Sequence, residues 1–246
     1  MVFKISISTI SWLNGFSAFA LVCAAFIYAF YYVHNYRKTK NTLYVNGAIL
    51  GFAIAFGWMG ITLSFLSVLQ YGYNVPGIKQ IVPYFSYSTI PIGSLAVLSI
   101  AWTMLMPPEH KKKVLIAVGI FCVFYYIVLY MTFSSAVVCP PVPEGEIYDD
   151  WLSSEELPFY LVYALVLGIT IIFAIGIIRF FKAVTGELRQ RAIWIMLSTP
   201  IMGTVILLDT VVITGAMFQD LLFIVRFLMI PAFFFTYLGF KPAEEL

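Results

Sequence analysis

Charge is what this chain of 246 residues has least of: Asp, Glu, Lys and Arg together make up 11% of it. Soluble domains carry about 25% charged and about 45–50% apolar residues. Here the apolar share is 62% and the mean hydropathy is +0.95. A water-soluble fold of this length has nowhere to hide so much apolar surface, so the composition excludes one and predicts an integral membrane protein. Cysteine is scarce as well. Cys23, Cys122 and Cys139 make no disulfide framework.

Further absences narrow the chemistry. The two histidines, His34 and His110, flank apolar runs rather than facing each other inside them, which excludes haem ligation by paired intramembrane histidines. No Cys/His cluster has zinc spacing, and no glycine-rich phosphate loop occurs. The last apolar run has no internal lysine, since Lys241 follows it, and so cannot form a retinal Schiff base. His-Glu-x-x-His, Gly-x-Ser-x-Gly and paired aspartates within a span are all missing. The expectation is a protein that is not an enzyme, with no cofactor, no metal and no nucleic-acid partner.

Long apolar runs are present in their place. Seven of them, at about 9–34, 43–69, 82–106, 114–135, 158–178, 192–216 and 221–240, approach the roughly 20 residues that cross a ~30 Å hydrocarbon core. Lipid offers no partner to a bare backbone N–H or C=O, so each run must be a helix. The ten-residue alternation of a membrane barrel is not visible. The expected fold is all-α, one polytopic domain over residues 1–246 with seven transmembrane helices. The first run continues past the cleavage-like Ser17-Ala18-Phe19-Ala20 to Val33 and then meets Arg37, Lys38 and Lys40. That is a stop-transfer pattern, and it predicts an uncleaved span.

Lys and Arg set the orientation. Arg37, Lys38, Lys40, Lys111, Lys112, Lys113, Arg179, Lys182, Arg189, Arg191 and Lys241 fall on one side, eleven of the 14 basic residues. Lys4, Lys79 and the acidic stretch Glu144, Glu146, Asp149, Asp150, Glu155 and Glu156 fall on the other. The N-terminus is therefore expected outside and the C-terminus inside. The one long loop, 136–157, lies on the outer side. Its Cys139-Pro140-Pro141-Val142-Pro143 opening is stiffened by proline. Either a solvated cap or a lid with a cation-attracting mouth fits it.

The first and fifth runs share text. Ile27-Tyr28-Ala29-Phe30 matches Ile172-Phe173-Ala174-Ile175, Tyr36-Arg37 matches Phe181-Lys182, and Leu43 matches Leu188. The third and seventh runs each carry Ile-Pro, at Ile90-Pro91 and Ile230-Pro231. These matches are compatible with a 3+1+3 parallel repeat, two three-helix units joined by the fourth helix, as in some small transporters.

Ionisable residues inside spans are expensive and point to function by default. Asp209 lies in the sixth span and Arg226 in the seventh, each some six or seven residues from the outer boundary. At ~1.5 Å per residue both sit roughly 10 Å deep, so an ion pair or a water-bridged pair is expected. It fixes the register of two helices or forms a ligand-binding site, unless Arg226 snorkels to the surface instead. The third span is polar for its class, with Ser86, Ser88, Thr89, Ser94, Ser99 and Thr103, Tyr84 and Tyr87 at its outer end, and Pro91 inside. Hydroxyls there can bond their own helix, satisfy the carbonyl that proline frees, or line a cavity. Tyr87 and Ser94 join Asp209 and Arg226 as candidate ligand-binding residues. Gly47, Gly51 and Ala55 follow at four-residue steps on one face of the second span. Such a face serves helix packing or a dimer. Trp58 and Trp102 read as core filling.

Two stretches carry a resemblance. Lys182-Ala183-Val184-Thr185-Gly186-Glu187-Leu188-Arg189, and the seventh span from Val225-Arg226-Phe227 through Tyr237-Leu238-Gly239-Phe240-Lys241-Pro242, resemble patterns in uncharacterised archaeal seven-helix membrane proteins. The layout is also similar to the seven-helix sensor region N-terminal to some prokaryotic histidine kinases. The resemblance implies a sensor. With six residues after Phe240, no kinase module is expected to follow, and output would pass to a separate cytoplasmic signalling protein. The leading expectation is a stand-alone sensor or adaptor in the cell membrane. It would bind a small or lipophilic ligand from the outer side and repack the sixth and seventh helices around Pro200 and Pro231. The alternatives are a small-solute transporter built from the two three-helix units, or a structural subunit of a membrane complex. In every case the lipid bilayer is a partner.

Overall fold

The computed structural model describes residues 7–105, 108–211 and 221–240. The inner end of the third expected span at Met106, the last part of the sixth at 212–216, and both Lys4 and Lys241 lie outside the described residues.

Helix α1 runs Thr9–Thr39. Ser8 caps its start by accepting from the Ser11 N–H, and Lys40 ends it in the left-handed conformation at φ 57°. Asn41 then caps α2, Thr42–Gly57, by accepting from the Leu43 N–H. The expected second span is two helices rather than one. Helix α2 stops at Gly57, and α3, Met59–Tyr71, continues after Trp58 with a 45° bend. Two glycines flank the bend, and Gly60 beyond it lets another backbone come close: a Cβ there would lie 2.5 Å from Val82 Cα.

The third span starts earlier than the hydropathy indicates and breaks once. Helix α4 is Ile78–Ser88 and α5 is Ile90–Leu105, with Thr89 between them. Pro91 causes the break, because it has no N–H to give the Tyr87 carbonyl four residues back. The Tyr125 hydroxyl donates to that carbonyl at 3.2 Å, and the Tyr126 hydroxyl donates to the Ser88 carbonyl at 2.6 Å. Both tyrosines belong to α6, Lys111–Met131. A four-residue helix, α7 at Phe133–Ala136, leads into strand β1, Val137–Val138, which pairs antiparallel with β2, Trp151–Leu152. Helices α8, Leu157–Ala183, α9, Gly186–Val211, and α10, Leu222–Phe240, follow among the described residues.

Among the described residues, six stretches are each long and apolar enough to cross a membrane: α1, α4 with α5, α6, α8, α9 and α10. The bent pair α2–α3 passes the same test when taken as one span. The fold is all-α and polytopic. Helices α1, α2, α5, α8, α9 and α10 close a ring in that order, each packed on the next and α10 back on α1. Helix α6 stands outside the ring against α5 and α8. Only 17% of its apolar window is buried, against at least 28% for the other five candidate spans. Ile116, Ile120, Val123 and Ile127 on α6, like Ile27 and Phe30 on α1, point outward and are exposed. Ser17, Ser64, Ser198, Thr236 and Arg226 point inward and are buried. Apolar outside and polar within is the arrangement lipid selects.

Candidate functional site

The small-residue face of α2 turns toward α1. A Cβ on Gly47 would fall 2.5 Å from the Tyr32 ring, and one on Gly51 would fall 2.9 Å from Ala29 Cβ. Ala55 is fully buried. The stripe is therefore spent on packing within the bundle.

Loop 136–157 folds down into one end of the ring. Glu146 accepts from the hydroxyls of Ser8 at 2.8 Å and of Ser11. The Glu146 carbonyl accepts from Asn74 Nδ2 at 2.7 Å, and Ser64 Oγ accepts from the Tyr148 N–H at 2.8 Å. Ile147, Asp150 and Leu152 are buried. Of the two readings left open for this loop, a solvated cap does not describe these residues: they form a plug tied to α1 and α3.

The plug ends on Arg226. This arginine of α10 is 0% exposed. Its Nε donates to Asp209 Oδ1 on α9 at 2.8 Å. Its Nη2 donates to both oxygens of Asp149 in the loop, at 3.1 and 2.9 Å. Asp209 Oδ2 accepts from the Trp58 indole at 2.7 Å, which is where the α2–α3 bend aims that ring. A guanidinium so deep in a bundle needs such partners, because an unpaired buried charge costs several kcal/mol. Arg226 Nη1 has no partner among the described residues.

Asp150 sits next to this lock and is only 4% exposed. Its Oδ1 accepts from Ser86 Oγ at 2.9 Å, while Oδ2 has no partner of hydrogen-bond geometry among the described residues. Burial, and then the Asp149 charge, push its carboxyl up to about 7, against the lowering effect of Ser86 and the nearby Tyr87 phenol. Cys139, in the same loop, has its thiol pushed up to about 12, chiefly by burial.

Beneath the lock lies a cavity of about 150 Å³ on the axis of the ring. Trp58, Ser86, Tyr87, Asp150 and Asp209 close its loop end. Ser94 stands midway along the wall, and Ile195, Ile100 and Phe240 close the far end. The walls come from α1, α2, α3, α4, α5, α8, α9 and α10, and α6 contributes nothing. Most wall hydroxyls are turned back on their own helices: Thr170 donates to the Val166 carbonyl, Ser198 and Thr199 to that of Ile195, and Thr236 to that of Ala232. The cavity is thus apolar along its length and acidic at one end.

Of the four candidate ligand-binding residues, Asp209, Tyr87 and Ser94 face the cavity. Arg226 lies behind its acidic end, bound to Asp209. Asp149, Asp150, Trp58 and Ser86 complete the site and were not among the candidates. Asp149 and Asp150 sit in a polar loop, where hydropathy gives no sign that an acid folds inward. Trp58 reads as core until the bend is known. No protein-family model matches the chain, and no curated protein does.

Proposed function

We propose that the chain is a small-solute carrier of the cell membrane, built from two three-helix units. One unit comprises α1, α2–α3 and α4–α5, the other α8, α9 and α10, with α6 as the fourth span that links them. The observation that carries this reading is the axial cavity, to which both units contribute and α6 does not. The packing supports a parallel repeat. Rotating the ring by half a turn exchanges the contact α1–α2 with α8–α9, α2–α5 with α9–α10, and α5–α8 with α10–α1. Carriers of this class hold solute between two repeats and open alternately to either side.

Loop 136–157 and the Arg226 lock form the outer gate in this reading. The eleven basic residues at the opposite loops keep that end in the cytoplasm. The test is uptake by proteoliposomes of a panel of small neutral, cationic and anionic solutes. Saturable uptake of one class, reduced in Asp209→Asn, is expected. A wild type that moves none of them above protein-free vesicles overturns the reading.

A second reading, the stand-alone sensor, is favoured by a separate observation: one residue, Arg226, joins the outer loop to both α9 and α10. A ligand in the cavity would bias the packing of these two helices, each with an internal proline at Pro200 and Pro231, and a cytoplasmic signalling protein or another subunit of a membrane complex would read the change. The resemblance to histidine-kinase sensor regions belongs to this reading. Ligand binding without uptake would favour it.

A further inference from the structure

We infer that the cavity takes a small organic ammonium ion, its nitrogen held at the Asp150 carboxyl group and its apolar body lying along the wall below. The inference rests on the cavity being a solute site, as proposed above, and names the class of solute.

Charge is the first argument. Three carboxyl groups, Asp149, Asp150 and Asp209, meet one guanidinium, Arg226, so a second cation is what would let Asp150 ionise beside the other two. Asp149 and Asp209 spend their oxygens on Arg226 and Trp58. Asp150 Oδ2 has no hydrogen bond of good geometry, with the Tyr87 phenol as its polar neighbour, and Asp150 is a cavity residue while Arg226 is not. Among the described residues no Lys, Arg or His lines the cavity, so nothing in the described wall repels a cation. The wall offers an anion little in return, because Thr170, Ser198, Thr199 and Thr236 already donate to backbone carbonyls.

Shape and aromaticity are the second argument. An ammonium group has three donors and no acceptor, which suits the Asp150 carboxyl group with the Tyr87 hydroxyl oxygen beside it. The faces of Trp and Tyr attract cations within about 6 Å of the ring centroid, and Trp58 and Tyr87 stand at this end of the cavity. A cavity of about 150 Å³ holds a ligand roughly the size of benzene. Among the described residues, no group of three or more His, Cys, Asp or Glu is arranged to hold a metal ion. The acidic end therefore suits an organic cation better than a divalent metal.

The test is binding to the purified full chain in detergent, read by calorimetry, with benzylammonium, benzyl alcohol, benzoate and sodium ion as probes. Benzylammonium is expected to bind at least tenfold more tightly than benzyl alcohol, with benzoate weakest and sodium without effect. In Asp150→Asn the preference for the ammonium over the alcohol should fall to near unity, while the alcohol still binds and reports an intact cavity. Wild-type binding of the alcohol or benzoate as tight as that of the ammonium overturns the inference, whatever the variant does. So does sodium competing at equal concentration, or a variant that keeps the preference. Ammonium binding without uptake overturns the carrier reading and leaves the ligand class standing; uptake of a neutral or anionic solute with no ammonium binding does the reverse.

Discussion

Arg226 on α10 grips Asp149 of the loop between β1 and β2 through one nitrogen, with Nη2 2.9 Å from Oδ2, while its Nε reaches Asp209 on α9. A single buried guanidinium thus ties its own helix to a loop residue 77 positions away and to a residue of the neighbouring helix 17 positions away. Removing it strands two carboxylates. Arg226→Met is expected to destabilise the fold by about 3–5 kcal/mol, the usual cost of breaking a buried pair from one side. Arg226→Met with Asp209→Asn and Asp149→Asn should recover a good part of that loss. Thermal unfolding in detergent checks both. Losses that simply add across the three sites would mean that the groups do not act as a unit.

Asp149→Asn leaves Arg226 with Asp209 and weakens only the tie to the loop. Glu144 and Glu155 in that loop are already exposed, so a glutamate-specific protease has sites to cut once the plug loosens. Cleavage within residues 144–156 is expected to run several-fold faster in Asp149→Asn than in wild type, with the helices intact. An unchanged rate would show that the anchors from Ser8, Ser11 and Ser64 hold the plug without Arg226.

Much of the fold was legible in the sequence because lipid allows so few solutions. Apolar runs of sufficient length must be helices, and the helices lie where those runs lie. The shared depth of Asp209 and Arg226 followed from counting residues along antiparallel neighbours, and they are indeed partners. The breaks were less legible. Hydropathy does not register that α2 stops at Gly57, nor that α4 begins at Ile78. The acidic end of the cavity was hidden for a different reason. Asp149 and Asp150 look like any solvated loop acids, and only tertiary contacts with Arg226 and Ser86 draw them in.

Asp150 makes stability depend on pH. Its carboxyl sits at about 7 in the folded chain, against an ordinary 3.8, because the neutral form is the easier one to bury beside Asp149 and Asp209. A raised acid contributes stability that is fully present below the unfolded value and is lost as pH rises through the folded one. Stability from this group should therefore fall between pH 4 and about 7, by up to about 4 kcal/mol at 1.36 kcal/mol per unit. The groups facing it are Asp149, Asp209, Ser86 and Tyr87. Asp150→Asn should flatten the unfolding temperature across this window. A variant with the slope of wild type would assign the slope to other groups.

The Pro91 break makes a prediction about two hydroxyls on α6. Tyr125→Phe removes the donor to the Tyr87 carbonyl and leaves that buried acceptor unsatisfied, at a cost of about 1–3 kcal/mol. Pro91→Ala restores a backbone N–H able to serve the same carbonyl. In that background Tyr125→Phe should cost distinctly less, as a double-mutant cycle on unfolding temperatures would record. Equal costs in both backgrounds would separate the tyrosine from the proline.

Orientation can be read chemically, and the native cysteines scarcely interfere. Cys122 is buried among apolar side chains, and Cys23 lies within the first apolar span. Cys139 has its thiol pushed up to about 12, so little of it is the reactive thiolate near pH 7. A membrane-impermeant maleimide should therefore leave wild type nearly unlabelled. Glu155→Cys, at an exposed site of the loop, should label on intact cells. Lys112→Cys, at the exposed start of α6, should label only after the membrane is opened. Because α6 begins among Lys111, Lys112 and Lys113 and runs to Met131 near the loop, the two sites mark its opposite ends. Labelling of Lys112→Cys on intact cells, with Glu155→Cys protected, would turn the molecule over. The acidic mouth of the cavity would then face the cytoplasm, and the outer gate would have to be sought among the basic loops.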